Sequence, residues 1–177
     1  MNDNAKLDSA SIFALDRLKN YYNFEKGLST TVGFDYEVKK ANKTEYNFSL
    51  GQIINEKENK EMPSSSSLDE KLSDVIGSSS LKINENLKFN YDFSLDQNYN
   101  DLNRNSVGAN INFDPIKFDF NYLEEGKHIG NRRYFKTNIE WAKSDNGVFT
   151  YETKRNLVTN SSEYYNLSYE YLNDCLR

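Results

Sequence analysis

The chain has 177 residues and a formal charge of −5, and only 37% of it is hydrophobic, yet it holds 13 Tyr and 11 Phe. Its 22 Lys and Arg are interspersed among 27 Asp and Glu, so it has no basic stripe for a nucleic acid. No run of about 18 apolar residues is present, which excludes a transmembrane helix, and a lone cysteine, Cys175, excludes an internal disulfide. Disordered chains share this polarity, but they are poor in aromatics and have no regular alternation, whereas this chain is rich in both.

Residues 1–26 read as an irregular loop segment with an apolar patch, Ile12-Phe13-Ala14-Leu15, then Asp16-Arg17 and an aromatic pair, Tyr21-Tyr22, expected to act as an anchor. A period of two begins at Leu28: Leu28, Thr30, Val32, Phe34, Tyr36 and Val38 alternate with smaller or polar residues, and Tyr46, Phe48 and Leu50 form the return strand. Residues 55–73 are Glu-, Lys- and Ser-rich and read as a long solvated loop. A weaker strand is expected from Val75 to Ile83, interrupted by Gly77 and three serines, and then a tight turn at 84–86. Leu87 to Asp96 is the clearest element, with Leu87, Phe89, Tyr91, Phe93 and Leu95 on one face and Lys88, Asn90, Asp92, Ser94 and Asp96 on the other. Val107 to Phe113 repeats the pattern and Asp114-Pro115 closes it, since proline cannot donate to a ladder. Phe118, Phe120 and Tyr122 follow, then Phe135 to Trp141, a turn ending in Asn146-Gly147, Phe149 to Thr153, and Tyr165 to Tyr171.

About nine strands of about ten residues each is the length expected of tilted strands that cross a membrane. The connections 39–43, 84–86, 114–115, 143–147 and 172–174 are short, and 55–73, 97–103, 124–131 and 156–161 are longer, in strict alternation. The fold class is therefore all-β: an antiparallel up-and-down meander, 27–177, forming part of a transmembrane outer-membrane β-barrel, with short turns at one rim and longer loops at the other. A soluble β-sheet binding module shares the two-faced pattern, but its inner face would carry more Ile, Val and Leu than the Tyr, Phe and Thr found here. Tyr46, Tyr91, Tyr122, Trp141, Tyr165 and Tyr171 recur on the apolar face as an interfacial aromatic girdle requires.

Catalytic chemistry finds no residues to carry it. His128 is the only histidine and sits in a Gly-flanked loop; no nucleophile triad, zinc spacing or phosphate loop exists, and pairs such as Asp92 and Asp96 read as solvated charge. No enzyme activity, metal or cofactor is expected. The N-terminal residues have no apolar h-region, which leads to the expectation that the chain is a piece of a longer protein.

Two stretches go beyond a generic barrel. Ser11-Ile12-Phe13-Ala14-Leu15-Asp16-Arg17, followed by Glu25-Lys26-Gly27 and its strand, resembles the aromatic-Asp-Arg and Glu-x-Gly landmarks of the lipopolysaccharide-assembly family LptD (OstA). Leu50-Gly51-Gln52 and Ser73-Asp74-Val75-Ile76-Gly77 are similar to the same family's Leu-Gly-Gln and Ser-Asp-hydrophobic-hydrophobic-Gly landmarks, and Tyr169 to Leu176 is similar to its Tyr-x-x-acidic-Cys ending. The chain departs from the family at Asn20-Tyr21-Tyr22-Asn23, which lacks the usual glycine and both charges, and at Leu176, which takes the place of a second cysteine.

The resemblance implies a Gram-negative outer-membrane component that places lipopolysaccharide in the outer leaflet without covalent chemistry. Its implied partners are an LptE-type plug lipoprotein, an LptA-type periplasmic bridge reached through an N-terminal domain, and membrane lipids. It also implies that Cys175 pairs with that periplasmic domain. In such a barrel Asn47, Ser49, Lys88, Asn90, Asp92, Asn110, Asn112, Asp119 and Asn121 are expected to face the lumen. Phe34, Tyr36, Phe48, Phe89, Tyr91, Phe93, Phe118, Phe120, Tyr122, Trp141, Tyr165 and Tyr169 are expected to face lipid. A porin or receptor barrel is the alternative.

Overall fold

The structure, a computed structural model, describes residues 7–9, 11–14, 17–18, 25–127, 130–144 and 147–171. Tyr21, Tyr22, His128, the Asn146 turn position and Cys175 lie outside them. Nine strands follow in chain order: β1 (Ser29–Lys39), β2 (Glu45–Asn55), β3 (Val75–Asn84), β4 (Leu87–Leu95), β5 (Leu102–Phe113), β6 (Ile116–Glu125), β7 (Arg132–Ser144), β8 (Gly147–Asn156) and β9 (Ser161–Tyr171). Each pairs antiparallel with the next, giving one sheet in the order β1 to β9. The meander expected from the alternation is therefore present, as an open sheet whose edge strands β1 and β9 each pair on one side among the described residues.

Register carries the two-faced pattern from strand to strand. Tyr36 lies opposite Phe48, Phe48 opposite Ser79, Ser79 opposite Tyr91, Tyr91 opposite Val107, Val107 opposite Tyr122, and Tyr122 opposite Phe135. A slip of one residue would send every such side chain to the other face. The four register shifts, at Lys82/Asn84, Ser94/Leu95, Ala142/Ser144 and Lys154/Arg155, all fall near strand ends, so the central rows stay in phase.

Aromatic pairs stitch the apolar face across strands. Trp141 stacks on Phe149 at 5.8 Å between ring centroids, and Phe149 meets Tyr169 at 4.4 Å, joining β7, β8 and β9. Gly77 leaves a gap in the apolar side chains of β3 for a steric reason, since a Cβ there would lie 2.2 Å from the Phe93 ring that crosses it. The strand is continuous through Gly77 and the three serines.

The connections alternate between the two ends of the sheet, with 40–44, 85–86 and 114–115 at one and 56–74, 96–101, 126–131 and 157–160 at the other. The last of these is no longer than 40–44, so the length contrast expected from the sequence fades at β8–β9. The strands also run past their last alternating apolar residue at the long-loop end. Strand β5 starts at Leu102 and continues through Asn103, Arg104 and Asn105, because ladder hydrogen bonds are made by backbone and need no apolar side chain.

The reading of 55–73 as solvated is corrected by the structure. Residues 56–58 and 60–61 are exposed, but Met62, Ser66, Ser67, Leu68, Asp69 and Ser73 are buried. Serine hydroxyls make this possible by satisfying backbone groups inside. Ser66 Oγ donates to Pro63 O at 2.7 Å, and the Asp74 and Ile53 amides donate to Ser67 Oγ and Ser73 Oγ, each at 2.9 Å. Replacing Phe149 with Ala removes both ring contacts that link β7 to β9, and unfolding titrations of this variant are expected to show a loss of about 1–3 kcal/mol.

Candidate functional site

The polar face forms three adjoining depressions. One of about 440 Å³ is lined in part by Asn47, Ser49, Ser80, Asn90 and Asp92. A second, about 330 Å³, includes Lys88, Asn110, Asn112 and Asp119, and a third, about 500 Å³, adds Asn121, Lys136, Asn138 and Glu152. All nine polar positions singled out in the sequence therefore share this face, and the twelve aromatic positions share the opposite one. Asn47 donates to Ser80 Oγ at 3.3 Å and Asn110 to Asp119 at 2.5 Å, while Lys117–Glu140 and Lys136–Glu152 pair across strands at 2.6 and 2.5 Å. These exposed pairs contribute little stability in water. They leave a surface of amides, hydroxyls and balanced charge suited to hydrogen-bonding sugars or polar protein surface. Among the described residues no cluster of metal-ligating side chains occurs.

Toward the long-loop end of β1–β3 the same face is filled by the chain itself. Leu7, Ile12, Leu18, Ile53, Met62, Leu68 and Ile76 form one buried cluster drawn from the N-terminal segment, the 56–74 loop and two strands. Gly33 and Gly51 are register partners, and together they leave a flat patch on the sheet. Ile12 and Phe13 lie on it so closely that a Cβ at Gly33 would stand 2.2 Å from Phe13, and one at Gly51 would stand 2.9 Å from Ile12. The segment is held by a reciprocal turn, in which the Ser11 amide donates to Asp8 Oδ1 at 2.8 Å, and by Arg17. The Arg17 side chain is 11% exposed; it pairs with Glu25 and donates to Ile12 O at 3.2 Å and Thr31 Oγ1 at 3.0 Å.

A second anchor ties the long loops together. Asp74, fully buried, accepts from Ser94 Oγ at 2.9 Å and Asn103 Nδ2 at 2.8 Å, and pairs with Lys127 at 3.2 Å. Lys127 also reaches Asp96 at 3.4 Å, so the loops 56–74, 96–101 and 126–131 share one charged knot. Burial disfavours the Lys127 ammonium, but the Asp74 and Asp96 carboxylates more than offset this and hold its pKa above the ordinary lysine value. Asp96 is pushed up by desolvation, yet hydrogen bonds from the Asn98 backbone and Asn103, with Lys127, bring its pKa below the ordinary value. Sequence reasoning found Ile12 and Phe13 but not their docking site, and it missed Ile53, Asp74 and Lys127 as a group. The available signal was the pair Ile53 and Ile76, apolar residues on the polar face.

A family model described as LPS transport system D, LptD, matches residues 2–146. The chain belongs to the LptD family. That family is an outer-membrane family of transport components rather than an enzyme family. No curated protein matches the chain.

The LptD-like landmarks between Ser11 and Gly77 meet at the long-loop end of β1–β3. Arg17 of the aromatic-Asp-Arg element pairs with Glu25 of Glu-x-Gly, and Gly51 of Leu-Gly-Gln lies under Ile12. Gln52 donates to Ser73 O at 2.9 Å and accepts from Tyr99 Oη at 3.2 Å, and Asp74 follows Ser73 at the knot. These landmarks thus describe one packed unit rather than separate motifs.

Two tests follow from this packing. Gly33→Val should drive Phe13 off the sheet and speed hydrogen exchange at the Ile12 and Ala14 amides, and adding Phe13→Ala should restore part of the protection. Lys127→Met removes the ammonium that pairs with both Asp74 and Asp96 and should cost about 3 kcal/mol, measured by denaturant unfolding. Because the folded Asp96 pKa is lowered, its contribution is present above the ordinary aspartate range and lost as pH falls below it. The raised Lys127 pKa means that its contribution persists until pH rises past the ordinary lysine value. Protection factors at 66–74, taken against the intrinsic exchange rate at each pH, should therefore be highest between these limits and fall at acid pH.

Proposed function

We propose that this chain forms part of the wall of an LptD barrel in the bacterial outer membrane, with the polar face toward the lumen and the aromatic face toward lipid. In this reading the barrel delivers lipopolysaccharide to the outer leaflet. The observation that carries it is the partition of nine strands, β1 to β7 of them within the family match, into one mainly aromatic and one mainly polar face. Physically, an antiparallel sheet satisfies its backbone groups between strands, which a water-free medium demands, and its apolar face can then meet acyl chains. The depressions lined by Asn47, Asn90, Asn110 and Asn121 offer donors and acceptors to saccharide hydroxyls or to an LptE-type plug lipoprotein. An LptA-type bridge supplies the lipid through a periplasmic domain, to which Cys175 is joined by a disulfide.

The unit packed on Gly33 and Gly51 supports this orientation, because it covers the polar face of β1–β3 at the long-loop end. Among the described residues no such cluster covers the short-turn end, the side from which a periplasmic supply would arrive. Neighbouring positions at the middle of β6 separate the two faces. In the full-length protein in lipid vesicles, Phe120→Arg should destabilise by about 2–4 kcal/mol, while Asn121→Arg should stay within about 1 kcal/mol of the parent in urea titrations. Equal effects at both positions would contradict the facing.

A further inference from the structure

The apolar face loses its neutrality at one place. From Ile116 to Tyr122 on β6, Phe135 to Trp141 on β7 and Phe149 to Thr153 on β8, its residues carry no charge. The next residues of that face at the long-loop end are Glu124, Arg133 and Arg155. Glu124 and Arg133 are register partners joined by an ion pair, and Tyr122 Oη donates to Glu124 at 3.0 Å. Arg155 lies opposite Phe135, which makes it a diagonal neighbour of Arg133 on the same face. It is exposed and donates to Asn160 Oδ1 at 2.6 Å, and among the described residues no carboxylate pairs with it.

Two guanidinium groups against one carboxylate leave this corner with a net positive charge. Below it the strip is aromatic, with Phe120 and Phe135 stacked at 6.4 Å between centroids. We propose that Arg133 and Arg155 form a binding site for the phosphate headgroup of an outer-leaflet lipid whose acyl chains lie along the Phe120–Phe135 strip. The inference rests on the membrane-facing reading of the aromatic face. Guanidinium is the side chain best matched to phosphate, since its planar fork donates two hydrogen bonds at once. The Glu124 pair holds the Arg133 arm at the rim and leaves Arg155 as the less neutralised partner. A free anion would use the arginines but not the aromatic strip. A lipid uses both, and this amphipathic match selects it.

The test combines two measurements on the full-length protein. Native mass spectrometry compares binding of dioleoyl phosphatidic acid with dioleoyl phosphatidylcholine, and bilayers of phosphatidylcholine with brominated chains report on Trp141 fluorescence. Trp141 should be quenched, and the parent should prefer the phosphatidic acid. Arg133→Ala and Arg155→Ala should each reduce that preference about fivefold, with Lys57→Ala, on the exposed part of the 56–74 loop, leaving it unchanged. Quenching of Trp141 with an unaltered preference in both arginine variants overturns the headgroup site while the membrane-facing reading stands. Absence of quenching overturns both. An equal loss in Lys57→Ala reduces the effect to general charge, and displacement of the lipid by inorganic phosphate reduces it to a bare anion site; either result overturns the proposal.

Discussion

Everything in this structure depends on register. Side chains along a strand alternate at a period of two, so a pairing error of one residue exchanges the faces of every strand beyond it. Eight successive antiparallel pairings keep most Phe and Tyr together with Trp141 on one side and most Asn, Ser, Asp and Lys on the other. The irregularities that exist lie near strand ends, where a bulge bends the rim without disturbing the central rows. A sheet of this kind has no interior of the usual sort. Its aromatic face remains largely uncovered by the chain itself, with Val32, Phe34, Tyr36, Trp141, Tyr165 and Tyr169 all exposed. A contiguous apolar surface of that extent marks a face made for contact with something else.

The exceptions to the alternation are as informative as the rule. Ile53 and Ile76 put aliphatic side chains on the polar face, and both are buried under the N-terminal segment and the 56–74 loop. The two glycines that face each other across β1 and β2 remove side chains where Ile12 and Phe13 approach. Charge then fixes what apolar contact positions. Arg17 with Glu25 holds one side of the unit, and Asp74 with Lys127 holds the other. A buried carboxylate is expensive without its partner, so the Asp74 knot favours one arrangement of three loops over alternatives in which they separate.

Strand existence and facing were legible in the sequence because both follow from local alternation, and Leu87 to Leu95 shows it without interruption. Strand ends were less legible, since the ladder of β5 continues through Asn103, Arg104 and Asn105, which give no periodic signal. The packed unit was hidden for a different reason. Lys127 and Asp74 stand 53 residues apart, and serine-rich sequence reads as solvated even where its hydroxyls replace water as hydrogen-bond partners inside. The family landmarks between Ser11 and Gly77 were visible as separate words, and their meeting at one end of β1–β3 required the sheet to be assembled.

The central claim is that the two faces meet different media, and the most direct measurement is site-directed spin labelling at each position from 116 to 125 of β6, with the full-length protein in liposomes. Collision rates with oxygen, which concentrates in lipid, and with a water-soluble nickel chelate should oscillate at a period of two and in opposite phase, oxygen highest at 116, 118, 120 and 122. Oscillations in the same phase, or a flat profile for both reagents, would contradict the account.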